Sequence, residues 1–286
     1  MKQYNLDDLT PYFEEKCIKP QSMKQHISQM KRVLKKILGT EYSKTNVKQS
    51  LSKFLKYIVT DDLPNYNSKK NHMTSMFHLY TALKAPTQRM EKVFDLMKQK
   101  AFAERANGMT EKAKTKFDKV DFDEISQMYK ELELGTDNRL ILVLYSGMMP
   151  ILRGQEWLNL KTINTKKNTL PSSVKNYLNL KSGMLHIEDA KSNGGYLEKD
   201  VIVPDVILNE IKEYLKIKNT DTILEGMSSS VLSKRLTKLI GASVQALRKK
   251  YVSVVSKQGL TTDERIELAR IMGHNLLTQA IDYDKS

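Results

Sequence analysis

The residues best equipped for chemistry fall late in the chain. Gly273-His274-Asn275 leads through Leu276-Leu277-Thr278-Gln279-Ala280-Ile281-Asp282 to Tyr283, so an imidazole and a phenol stand nine residues apart. On one unbroken helix, nine steps of about 100° put two side chains on opposite faces. His274 and Tyr283 can therefore share a site only if the chain turns between them. Gly273 and Asn275 permit such a turn, with Asn275 as N-cap of a short last helix. Upstream, Arg153 precedes Glu156 by three residues, a spacing that puts both on one face of a helix. Arg248 sits in Gln245-Ala246-Leu247-Arg248-Lys249-Lys250-Tyr251, and Lys191 lies in a polar turn, Ala190-Lys191-Ser192-Asn193-Gly194-Gly195. Two guanidiniums, an ammonium, an imidazole and a phenol suit chemistry on an oxyanion, because paired arginines grip such oxygens bidentately where lysine cannot. Each piece also has a plainer reading. Those readings are a helix C-cap followed by an amphipathic helix, a surface ion pair, a solvated lysine and a basic helix face.

The elements that must position these residues can be read from periodicity. Residues 22–38 carry Met23, Ile27, Met30, Val33, Leu34, Ile37 and Leu38 at helical spacing. Residues 46–59 repeat the pattern, and two more helices are expected over 68–84 and 87–106. Asn107-Gly108 ends this helical part, and the lysine-rich run to residue 120 reads as a linker. Asp121, with Glu124 three residues on, reads as a capping box that opens a new helix. Residues 138–146 form a buried-type helix. Residues 184–189 and 196–203 are strand-like around hairpin chemistry, and helices follow at 205–217, 229–240, 243–257 and 262–272. The fold class is mainly α with a small antiparallel β-sheet. A helical domain spans 1–107, a linker 108–120 and a second domain 121–286.

Composition narrows the partners. The 286 residues carry 47 Lys+Arg against 33 Asp+Glu, a formal charge of +14, which favours a polyanion. Basic residues outnumber acidic ones between Ser68 and Lys119, where phosphate contact is expected. No apolar run is long enough for a membrane span, and the N-terminus lacks the apolar core of a signal peptide. Cys17 is the only cysteine, which excludes an intramolecular disulfide or a cysteine metal cluster. An intracellular protein is the simplest expectation.

Arg153, Lys191, Arg248, His274 and Tyr283, in that order behind a basic helical domain, resemble the active-site set of the tyrosine recombinases, the phage-integrase family. The MGH…TQ…Y ending and the Met148-Met149-Pro150-Ile151-Leu152 approach to Arg153 look most like members from eukaryotic viruses and mobile elements. The resemblance implies a helical core-binding domain and a catalytic domain that clamp double-stranded DNA. It also implies a homo-tetramer on paired sites, and integration or excision through a Holliday junction. Tyr283 would be the nucleophile of a 3′-phosphotyrosyl intermediate and Lys191 the general acid. Arg153, Arg248 and His274 would hold the phosphate, with Glu156 and Gln245 in support. Neither metal nor cofactor is called for. Gln245 departs from the family, standing where a histidine is usual; an amide donates a hydrogen bond but does not shuttle protons at neutral pH. The sequence also ends three residues after Tyr283, where many members of the family carry a tail that swaps between subunits; the expectation is either a member without that tail or a shortened C-terminus. A type IB topoisomerase or telomere resolvase would share this site, and a non-catalytic DNA-binding protein could keep the fold.

Overall fold

Helices α1 (Thr10–Glu15), α2 (Pro20–Leu38), α3 (Lys44–Gln49), α4 (Leu51–Thr60), α5 (Tyr66–Ala82) and α6 (Gln88–Ala106) build the first of two units, Met1–Asn107. The computed structural model describes residues 4–60, 63, 65–106, 108–109, 111–165, 175–192, 195–274, 276 and 279. The apolar stripe of α2 is buried at Ile27, Met30, Val33 and Leu34. It packs in one core with Met73, Met76, Leu79 and Tyr80 of α5 and with Phe13, Phe54 and Ile58. The expected helix over 46–59 is two helices. Ser43 caps α3 by accepting the Asn46 N–H at 3.2 Å. Ser50 stands at the break, its hydroxyl donating to Val47 O at 2.7 Å and lying 2.8 Å from the Tyr80 hydroxyl. A serine that bonds back to the main chain offers the backbone an alternative to the next helical turn.

The second unit, Gly108–Ser286, holds α7 (Glu111–Asp118), α8 (Phe122–Glu131), α9 (Asp137–Leu144) and the single turn α10 (Gly154–Trp157). Its strands are β1 (Leu160–Ile163), β2 (Asn176–Asn179), β3 (Met184–Ser192), β4 (Gly195–Ile202) and β5 (Thr222–Ile223). The remaining helices are α11 (Asp205–Lys218), α12 (Ser229–Ile240), α13 (Val244–Ser256) and α14 (Thr262–Met272). The run expected as a linker therefore carries α7. Phe117 of α7 is buried, and the Lys250 ammonium of α13 lies 5.0 Å from its ring centroid. One aromatic among lysines is enough to fasten a short polar helix to a neighbour. Asp121 caps α8, accepting from the Asp123 and Glu124 N–H groups at 2.8 and 3.1 Å.

The architecture is mainly α with one small sheet. Strand order is β4-β3-β2-β1-β5. The expected hairpin, β3–β4, is the edge of this larger sheet. β1 and β2 run parallel while the other pairs are antiparallel. Parallel strands cannot be joined by a tight turn, so no short-range signal marks the pairing of β1 with β2. Helix α9 is buried from Leu140 through Leu144. It lies in one apolar core with the sheet residues Leu160, Leu178, Leu185 and Val201 and with Ile207 and Ile211 of α11.

Candidate active site

The site is organised by the end of α14. Thr261 and Glu264 form a capping box at its start. Gly273 ends it at φ +67, in the left-handed region that a side chain disfavours. The Gly273 N–H donates to Arg270 O at 3.0 Å and the His274 N–H to Ala269 O at 2.9 Å, a Schellman motif. That leaves later carbonyls without a backbone donor, at the negative end of the helix dipole. Three cationic side chains supply the donors. Lys199 Nζ donates to Ile271 O at 2.5 Å, Arg248 Nη2 to Met272 O, and Arg153 Nη2 to Gly273 O at 2.6 Å. Three successive carbonyls thus gather a lysine from β4, an arginine from α13 and an arginine from the loop before α10.

Each cation is held from a second side. Arg248 is 1% exposed and its Nη1 donates to Ile151 O at 2.6 Å. Arg153 is the N-cap residue of α10, in extended conformation. Its N–H donates to Glu156 Oε2 at 2.7 Å, while its Nη1 stands 3.9 Å from Glu156 Oε1. The expected Arg153–Glu156 partnership therefore runs mainly through the backbone, because Arg153 precedes the helix. Gly154 allows the close approach: a Cβ there would meet Leu232 Cδ2 at 2.8 Å. Buried Trp157 anchors the turn in the core. Glu156 is 6% exposed and its Oε1 also accepts from Lys199 Nζ at 2.8 Å. Burial holds the Lys199 ammonium below its ordinary pKa, with Glu156 opposing the shift and the two arginines adding to it. The Tyr145 phenol, fully buried nearby, is pushed up by burial and by Glu156. Three cations face one carboxylate and three helix-end carbonyls, so the cluster carries an excess of formal positive charge.

The structure brings Arg153, Glu156, Arg248 and His274 to one place. His274 directly follows Gly273 and is 7% exposed. Gln245 is exposed on the first turn of α13, three residues before Arg248. Lys191 differs from the expectation of a hairpin turn. β3 runs on to Ser192 and β4 starts at Gly195, so Lys191 is a strand residue paired with Tyr196. Residues able to pair continue the ladder beyond the point where polar character suggested a turn. Tyr283 lies outside the described residues. Tyr251, three residues after Arg248, packs edge-on against Phe122 at 6.2 Å, and burial raises its pKa.

Lys199 is the residue that sequence reasoning missed. Its signal was present, since in Tyr196-Leu197-Glu198-Lys199-Asp200-Val201-Ile202-Val203 it alternates with Leu197, Val201 and Val203, on the apolar face. Among the described residues no three His, Cys, Asp or Glu side chains are placed to share a metal ion. Nor is any described helix long and apolar enough to cross a membrane.

No family model matches the chain, and no curated protein matches it. Among solved structures, one described as the crystal structure of XerA recombinase aligns with 98% of this chain and 92% of that chain, at 12% identity and a TM-score of 0.39. A likeness at that level assigns no residue or activity to this chain.

Proposed function

We propose that the second unit cleaves and rejoins DNA as a tyrosine recombinase, carrying out site-specific integration or excision through a 3′-phosphotyrosyl intermediate. The observation that supports this most is the convergence of Arg153, Arg248 and Lys199 on the three carbonyls that precede His274. Preorganised positive charge beside a histidine suits the pentacoordinate phosphorus of strand exchange, where charge collects on non-bridging oxygens. The Tyr283 oxygen attacks phosphorus and forms the phosphotyrosyl bond as the bond to the 5′-oxygen breaks. The phenolic proton passes to His274 or solvent, and the leaving 5′-oxygen takes a proton from Lys191. Arg153, with 30% of its side chain exposed, makes the first phosphate contact. Gln245 adds an amide donor from the first turn of α13. The basic surface of both units binds duplex DNA, and paired sites assemble a tetramer.

Covalent trapping tests this reading. A nicked suicide duplex, built on repeats that flank the gene, should yield a protein–DNA adduct with the wild-type chain and none with Tyr283→Phe. An adduct lost in Tyr251→Phe but kept in Tyr283→Phe would overturn the assignment of the nucleophile. Relaxation of supercoiled DNA by a monomer, without paired sites, would favour a type IB topoisomerase. The burial of Arg248 at 1% favours a second reading, in which the cluster only locks α14 within a non-catalytic DNA-binding protein. Under that reading no adduct forms on any duplex.

A further inference from the structure

Lys199 has no step in the chemistry just described, yet its side chain is wholly enclosed. Taking an ammonium out of water costs several kcal/mol even when it is paired. The face of β4 that it occupies would accept an aliphatic residue without that cost. Its two contacts show what it joins. One is Glu156 Oε1 at 2.8 Å, and the same carboxylate receives the Arg153 N–H at 2.7 Å. The other is Ile271 O at 2.5 Å, three residues before His274 and next to the carbonyl that takes Arg248. Strand β4 thus ties the α10 turn to the end of α14.

We infer that Lys199 is a positioning residue that, through Glu156 and the Ile271 carbonyl, sets Arg153 and His274 in register around a phosphate. The inference rests on the proposed function in taking that phosphate to be a DNA phosphodiester. Lys199 is not assigned the leaving-group proton, because none of its side-chain surface is exposed. A misplacement of about 1 Å in such a site is enough to cost ~10²-fold in rate.

The test is the double variant Lys199→Met/Glu156→Gln. It removes both charges and strands neither, so it should fold. The replacement amide oxygen can still accept the Arg153 N–H, while Ile271 O loses its donor. Single-turnover cleavage at saturating DNA should fall about 10–100-fold, while the DNA Kd, set by many other phosphate contacts, stays within about threefold. A 5′-bridging phosphorothiolate should not restore the rate. A wild-type cleavage rate would overturn the inference. So would rescue by the phosphorothiolate, which would make Lys199 the proton donor, or a loss seen wholly in Kd. Should that double variant not fold, Lys199→Leu/Glu156→Gln, which likewise strands neither charge, should show the same loss in rate, and a wild-type rate would again refute the idea. If the wild-type chain forms no adduct, the proposed function fails on its own. The inference is then read from orthovanadate binding, followed through the Gly273 and His274 amide resonances. Binding at least about tenfold weaker in the variant supports it, and equal binding or none overturns it.

Discussion

Among the described residues of the first unit the buried polar side chains are Ser50, His72 and Ser75; in the second they include Glu156, Lys199 and Arg248. The first set holds no carboxylate, lysine or arginine, and its serines serve the packing of helices. Ser75 donates to Gln29 Oε1 at 2.5 Å, and Ser50 meets the Tyr80 hydroxyl. The three charged members of the second set gather at one helix end and are unbalanced in sign. Helix packing alone has no use for buried excess charge, because hydrophobic groups of similar volume do as well or better. The contrast therefore separates a unit whose buried polar groups serve packing from one that buries a cluster of charges, which under the proposed function meets a phosphate.

Removing the buried arginine should break this contrast most severely. Arg248→Ala leaves the Ile151 and Met272 carbonyls without their charged donor, at about 1–3 kcal/mol for each stranded group. Denaturant unfolding should show the second unit losing stability while the first keeps it, and adduct formation should vanish. Equal stability in wild type and variant would mean that Arg248 is no keystone.

Arg153→Lys should sharpen the contrast, since it separates chemistry from stability. Its guanidinium is the more exposed of the two, so unfolding should shift by less than about 1 kcal/mol. Single-turnover cleavage should fall by ~10²–10³, as for loss of one preorganised donor. A rate within a factor of about two of wild type would remove Arg153 from the phosphate.

The first unit should answer to pH instead. His26 and His78 lie with ring centroids 4.9 Å apart, and burial holds both below the usual value of 6.5. For a depressed histidine, folding favours the neutral ring. Its stabilising contribution is present above the unfolded pKa and is lost as pH falls through the folded one. Thermal unfolding of the full chain should thus weaken below about pH 6.5, and His26→Gln should flatten that slope. Ring titrations followed by NMR with midpoints above 6.5 would contradict this account.

The smallest effect is expected at Tyr80. Burial pushes its phenol up to about 12, the Ser50 hydrogen bond opposing the shift. A raised phenol contributes stability that is intact below the unfolded value near 10 and is lost as pH climbs toward 12. Tyr80→Phe should cost about 1 kcal/mol at neutral pH, remove this alkaline dependence and leave cleavage at saturating DNA unchanged. A cleavage defect there would show that the interior of the first unit also serves the site.

Much of the frame was legible in the chain because it is written in local patterns. Helical spacing in α2, the caps at Asp121 and Gly273 and the buried run of α9 each arise within a few residues of sequence. The order of Arg153, Arg248 and His274 along the chain was also plain. Their convergence was not, since Arg153 and Gly273 are 120 residues apart and only the packed unit brings the guanidinium to that carbonyl. Tertiary structure likewise decided that β1 and β2 run parallel, and that the lysine-rich run after Gly108 holds a helix fastened by Phe117. It decided the fate of the two hairpin lysines too. Lys191 stands out by its polar neighbours, whereas Lys199 looks like any strand lysine until β4 packs over Glu156 and the end of α14. Periodicity can say which face of a strand is buried. Which carbonyls and carboxylates wait beneath that face depends on contacts distant in sequence, where local physics has no reach.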